Sequence, residues 1–171
     1  MVLIVCGLAP LTRVIEARRP SHVITLLDPA TLIETPAGIA PDRHLKVGVN
    51  DICEPIEGMV PPDETTIAQV LEFGRTWDER APMVVHCWAG ISRSTATAFA
   101  LACERSPEVS ELEIARVMRR AAPHAYPNRR IVALADDLLG RRGRMVDAVD
   151  AMGDNGWVSS GTPFDFPVRH R

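Results

Sequence analysis

The stretch MVVHCWAGISRST (83–95) runs from a short β-prone segment straight into a cysteine, then through small residues to an arginine six positions on. MVVH (83–86) reads as a buried strand and STATAFALACE (94–104) as an alanine-rich helix, so residues 87–93 are the turn between them. Such a turn points several backbone N–H groups inward, and the helix start adds unsatisfied donors and partial positive charge. Together they make an anion site. Gly90 allows a backbone conformation that a side chain would forbid. Arg93 offers a planar fork that holds two oxygens of one phosphate. The field that attracts a phosphate also favours a thiolate at Cys87, and a thiolate beneath a phosphoryl group is a nucleophile in attack position.

Outward from this loop, VLIVC (2–6), HVITLL (22–27) and HLKVGV (44–49) read as strands. PLTRVIEARR (10–19) has helical spacing, and Asp63 caps a helix to about Arg80 with Ile67, Val70, Leu71 and Trp77 on one face. Ser110 and Glu113 form a capping-box pattern that opens a helix to Ala121. Asn128 caps another that stops at Gly140, and a last short helix spans about Arg142 to Met152. The segments 29–41 and 50–62, broken by Pro and Gly, read as loops. Strands alternating with helices predict an α/β fold: a central, mostly parallel sheet of four or five strands flanked by helices. Ligands in such sheets bind beyond the carboxyl ends of the strands, where Cys87 stands. Residues 1–153 are expected to form one domain. Residues 154–171 are a tail without periodicity, docked through Trp157, Phe164 and Phe166 or else disordered; docking is expected because aromatics are rare in disordered tails.

The 171 residues are 46% hydrophobic and 24% charged, enough for a core that needs neither disulfide nor metal. A net charge of -3 offers no electrostatic case for nucleic acid or an acidic membrane surface. The start, MVLIVCGLAP, lacks the basic segment of a secretory signal, and no stretch approaches the roughly 18–20 apolar residues of a spanning helix. Cys6, Cys53, Cys87 and Cys103 are scattered, which suits reduced thiols in the cytoplasm. No His or Cys spacing suggests a metal site, and no cofactor is expected. Lys46 is the only lysine, a bias towards arginine of the kind a GC-rich bacterial genome produces.

His86-Cys87-x5-Arg93-Ser94, preceded by apolar β residues, resembles the active-site motif of the cysteine-dependent protein tyrosine phosphatase superfamily. VHCWAGISRSTA (85–96) is most similar to the compact dual-specificity branch, and PNRRIVALADDLL (127–139) resembles the Pro-Asn helix start found downstream there. It departs from that pattern at Arg130 and Leu134, where a glycine and a glutamine would stand. The likeness covers about residues 44–140. It implies that Cys87 attacks phosphorus, that Arg93 and the backbone of Trp88, Ala89, Gly90, Ile91 and Ser92 hold the phosphate, and that Ser94 helps the sulfur leave. His86 would order the loop and not act as a base. It also implies an aspartate general acid on an earlier loop. Asp51, 36 residues before Cys87 and just past a strand, is the choice over Glu54, Glu57 and Asp63.

The implied activity is hydrolysis of phosphotyrosine, with phosphoserine or phosphothreonine as a second class, on a phosphorylated protein or a small phosphomonoester. The loop interior carries no extra Lys or Arg, which argues against inositol phosphates. A catalytically weak phosphoprotein-binding module is the alternative, and a rhodanese-like sulfurtransferase is a more distant one because its loop is typically one residue shorter. For a cysteine or histidine taken alone, core packing is the ordinary role; the fixed offsets argue for catalysis at Cys87. Arg129 and Arg130 are candidates for an acidic substrate, although solvated helix termini are the ordinary role of arginine pairs. Cys6 or Cys53 could form a disulfide with an oxidised Cys87, with packing again the simpler role.

Overall fold

A computed structural model describes residues 1–154 and 156–171. Five strands form one sheet in the order β3-β2-β4-β1-β5, with β1 Val2–Cys6, β2 His22–Leu27, β3 His44–Gly48, β4 Met83–His86 and β5 Phe164–Pro167. The first four are mutually parallel; β5 runs antiparallel to β1, with Val5 opposite Phe164. Every residue of β2 and β4 is buried, as expected of central parallel strands covered on both faces.

Helix α1 (Leu11–Arg18) covers one face, where Leu11, Val14 and Ile15 pack on Ile4, Cys6, Val23 and Val84. The other face carries α2 (Glu64–Thr76), α3 (Arg93–Arg105), α4 (Glu111–Ala121), α5 (Arg129–Leu138) and α6 (Arg144–Asp150). The alanine-rich character of α3 follows from its position. Every residue from Arg93 to Cys103 is buried, so neighbours approach it from all sides and leave room only for small side chains over much of its surface. The caps read from the sequence act at two helices: Asp63 accepts from Thr66 N at 2.8 Å, and Asn128 accepts from Ile131 N at 3.0 Å. At α4 the Ser110 side chain makes no cap bond. Helix α2 stops at Thr76, short of Arg80, because Trp77 turns into extended backbone and donates its indole N–H to Ala81 O.

The sheet is thus mostly parallel and five-stranded, but its fifth strand comes from the segment that showed no periodicity. Phe164 and Phe166 face inward and Asp165 outward, where Arg18 of α1 grips its carboxylate at 2.8 and 2.9 Å. Pro167, which cannot donate to a ladder, is tolerated because β5 is an edge strand. Trp157 does not dock; it is 91% exposed.

Candidate active site

Four parallel strands deliver four pieces of chain to one edge of the sheet. Beyond β1 come Gly7 and Leu8, beyond β2 Asp28, beyond β3 Asp51, and beyond β4 the loop 87–93. The loop is held through its carbonyl oxygens. Trp88 O accepts from Leu8 N (3.0 Å), Ala89 O from Gly161 N (2.8 Å), Ile91 O from Tyr126 N (2.9 Å) and Ser92 O from Asn128 N (3.2 Å). With the carbonyls bonded outward, the N–H groups of Trp88, Ala89, Ile91 and Ser92 are left without protein acceptors among the described residues. A ring of such donors is an anion cradle. Gly90 sits at φ +73°, and a Cβ there would lie 2.6 Å from Gly7 N, so the loop and the end of β1 approach as only glycine permits.

Cys87 is 2% exposed, at the floor of a cleft of about 570 Å³. Its sulfur lies 3.2 Å from Ser94 Oγ and 3.3 Å from Gly90 N, which donates to it. Arg93 is buried, and its Nη1 donates to Asp28 Oδ1 and Val49 O, both at 2.7 Å. One corner of the guanidinium is therefore anchored to β2 and β3, while Nε is buried and makes no protein hydrogen bond among the described residues. A buried charged donor left unpaired is costly, so this orientation suits an anion above the loop.

Asp51 Oδ1 accepts from Ser92 Oγ and from Asn128 Nδ2, each at 2.8 Å. A carboxylate from the β3 loop thus meets the phosphate-loop candidate Ser92 and the start of α5, at the rim of the cleft that holds Cys87.

His86 Nε2 lies 2.7 Å from Thr25 Oγ1, which lies 2.8 Å from His44 Nε2; His44 Nδ1 is 3.1 Å from Thr35 Oγ1. One hydroxyl between two imidazoles donates to one and accepts from the other, so one Nε2 is bare and the other carries hydrogen. Burial pushes His86 down to about 4, partly opposed by the Cys87 backbone and reinforced by His44. Burial, with help from Lys46, holds His44 at about 4 as well. Both rings are neutral at pH 7, which suits a supporting layer.

Comparison with known proteins bears on the fold. Residues 55–125 match the family model described as protein-tyrosine phosphatase. The solved structure of DUSP15 superposes with TM-score 0.61 at 17% identity, covering 92% of this chain and 94% of that one. The Cydia pomonella PTP-2 phosphatase gives 0.59 at 16%, covering 79% and 84%. PTPMT1, solved in complex with PI(5)P, gives 0.56 at 16%, covering 89% and 94%. The chain carries the protein-tyrosine phosphatase fold. No curated protein matches it in sequence.

The likeness to the protein tyrosine phosphatase superfamily, drawn from residues 85–96 and 127–139, is borne out by the family-model match and by the shared fold, and DUSP15 is among the structures that share it. Within that fold the structure brings together Cys87, Arg93, Ser94, Asp51 and the loop between. It adds residues that sequence reasoning did not assign to the site. Asp28, just past the strand 22–27, anchors Arg93; Asn128, read as a helix cap, also holds Asp51. Thr25 and His44 carry no local signal of their link to His86, since 61 and 19 residues separate the bonded pairs. Of the arginines, Arg129 makes an exposed pair with Asp150, and Arg130 braces the loop that bears Asp51 at Pro62 O and Cys53 O. Cys6 packs on the α1 face of the sheet while Cys87 belongs to the opposite cluster, and burial, with Cys87 nearby, pushes the Cys6 thiol up to about 12. That arrangement argues against a Cys6–Cys87 disulfide. Cys53 is exposed, on the loop that bears Asp51.

Proposed function

We propose that this chain hydrolyses phosphomonoesters of protein side chains, phosphotyrosine first and phosphoserine or phosphothreonine second, through a cysteinyl-phosphate. The observation that carries the reading is the loop around the Cys87 sulfur: carbonyls bonded to neighbouring segments, N–H groups at 88, 89, 91 and 92 without protein acceptors among the described residues, and a buried Arg93 anchored by one corner only. These donors hold the three non-bridging oxygens, and they hold them best as charge spreads over the phosphoryl group in the transition state. Cys87 Sγ attacks phosphorus and the bond to the ester oxygen breaks. Asp51 gives that oxygen its proton from Oδ2, because Oδ1 is occupied by Ser92 and Asn128. Water then attacks phosphorus, Asp51 takes the water proton, and the S–P bond breaks with Ser94 Oγ–H bonded to the departing thiolate.

The substrate reading rests on the cleft walls. Arg93 is the only cation lining the cleft among the described residues, and Asp28 and Asp51 lie in it, which disfavours an anionic phosphoinositide headgroup such as the PI(5)P of the PTPMT1 complex. Intact Cys87, Arg93 and Ser94 favour an enzyme over a binding-only module. The unpaired cysteines suit a cytoplasmic setting, and among the described residues no helix is long and apolar enough to cross a membrane.

The test is hydrolysis of two aryl phosphates, with vanadate as competitor. Cys87→Ser is expected to abolish vanadate-sensitive turnover; retained activity in that variant overturns the assignment. Asp51→Asn is expected to cost about 10²–10⁴ in kcat on phenyl phosphate and much less on p-nitrophenyl phosphate, whose leaving group needs little protonation. Equal losses on both substrates would remove Asp51 from the role of acid.

A further inference from the structure

The antiparallel sense of β5 has a geometric consequence. The parallel strands leave the sheet at the catalytic edge, but β5 starts there: Phe164 is paired with Val5, one residue before the end of β1. The chain that precedes β5 must therefore cross the mouth of the cleft to reach it. It does so in contact with the catalytic loop. Gly161 N donates to Ala89 O at 2.8 Å, and a Cβ on Gly161 would lie 2.8 Å from Gly90 O. Upstream of that tie, Val158 and Ser159 line the same cleft as Cys87 and Arg93. Trp157 follows them outward and stands 91% exposed, close in sequence to a segment pinned at Gly161 and anchored by the burial of Phe164 and Phe166.

We infer that the arm Trp157–Gly161 is the specificity wall of the active site, with Val158 against the aromatic leaving group of the ester and Trp157 against the chain that carries it. This deepens the phosphatase reading and rests on it. The chemistry of the surroundings fits. Ile52, Met59 and Trp88 give the cleft further apolar surface, and Trp88 and Met59 are themselves exposed at 62% and 45%. A phosphoryl group held at the bottom by polar donors leaves its ester group among Val158, Met59 and Trp88. A flat aryl group uses that surface and a serine side chain is too short to reach it. The side chains of Trp157 and Val158 are specificity elements and not part of the chemical machinery; only the backbone tie from Gly161 to Ala89 O belongs to the support of the loop.

The experiment compares wild type with the double variant Trp157→Ala/Val158→Ala and with Gly161→Ala, using a phosphotyrosine peptide, a phosphoserine peptide of the same sequence, and inorganic vanadate as a competitor that occupies only the phosphate cradle. The double variant is expected to raise KM for the phosphotyrosine peptide about tenfold, to leave kcat and the vanadate inhibition constant unchanged, and so to narrow the preference for phosphotyrosine. Gly161→Ala, whose Cβ would meet the His124 ring and Gly90 O, pushes the arm off the loop and is expected to change the same preference in the same direction, with vanadate weakened as well because Ala89 O loses its partner. An unchanged KM in the double variant overturns the inference. So does a parallel weakening of vanadate in the double variant, which would make the arm a mere support of the loop. A wild type with no vanadate-sensitive activity on either peptide overturns the phosphatase reading and this one with it, whereas an active wild type with indifferent variants overturns this one alone. Both substituted side chains of the double variant are on the surface arm, and a thermal midpoint equal to wild type confirms that the fold is intact.

Discussion

The two loops that meet over Cys87 are held in opposite ways. Residues 87–93 are locked by their backbone: four successive partners, from the β1 turn, the C-terminal arm and the segment before α5, take up the carbonyls at 88, 89, 91 and 92. Residues 50–62 lie largely in solvent, with Ile56 and Met59 exposed. Among the described residues their one hydrogen bond to the Cys87 loop is made by the Asp51 carboxylate, with Arg130 and the Asn50–Val60 pair bracing the segment behind it. On the proposed mechanism the difference follows from what each loop would do. Charge develops on the phosphoryl oxygens at fixed positions, so donors that are already in place need no reorganisation when it appears. In that mechanism a proton donor has to follow a leaving oxygen and then a water molecule, and a carboxylate on a largely solvent-exposed loop, held at one oxygen only, can serve both. Preorganisation belongs to the cradle and tolerance to the acid.

The largest effect that tests this comparison should come from the rigid side. Arg93→Ala removes the anchored fork and is expected to cost about 10³–10⁵ in kcat/KM, measured on p-nitrophenyl phosphate. A loss below about tenfold would mean that the backbone N–H groups hold the phosphate by themselves. Second in size is the layer beneath the rigid loop. Unfolded histidine titrates near 6.5, whereas His86 and His44 are held at about 4 by burial. Between those values the unfolded chain binds more protons. Stability is therefore whole above about pH 6.5, declines as the pH falls towards 4, and declines no further from this source below it. For His86 the decline is on the order of 3 kcal/mol. Urea midpoints at pH 7.5 and 4.5 measure it, and His44→Gln should flatten the slope; an unchanged slope would detach the histidine pair from the loop's support. The smallest effect belongs to the tolerant loop. Asn128→Ala frees Asp51 from one of two bonds and uncaps α5, and is expected to lower kcat about tenfold with about 1 kcal/mol of stability lost. The conservative Asn128→Asp keeps the cap but sets a carboxylate beside Asp51. If both variants lose stability and neither loses kcat, Asn128 acts on the helix alone.

Much of this was legible because it is local. The strand, turn and helix around Cys87 lie within 23 residues, from Met83 to Arg105, and their backbone geometry follows from nearest neighbours. Asp51 was legible more weakly, since only its distance from a strand end and from Cys87 distinguished it from Glu54, Glu57 and Asp63. FDF (164–166) alternates over three residues only, too short a run to count as periodicity or to stand out from a tail. Its partner is β1, at the far end of the chain, and no local rule could name it. Asp28, His44 and Asn128 illustrate the same limit: each looks like ordinary punctuation or core until another element arrives beside it.

By itself, then, the sequence determined the cradle and its nucleophile candidate, because a cysteine, a glycine, an arginine and a serine at fixed offsets need only one strand and one helix to converge. Tertiary structure decided the rest. The anchor on Arg93, the tether on Asp51, the neutral histidines under the loop and the arm across the cleft all depend on contacts between segments tens of residues apart. Those contacts exist only once four parallel strands and one antiparallel strand bring their ends to the same edge of a sheet.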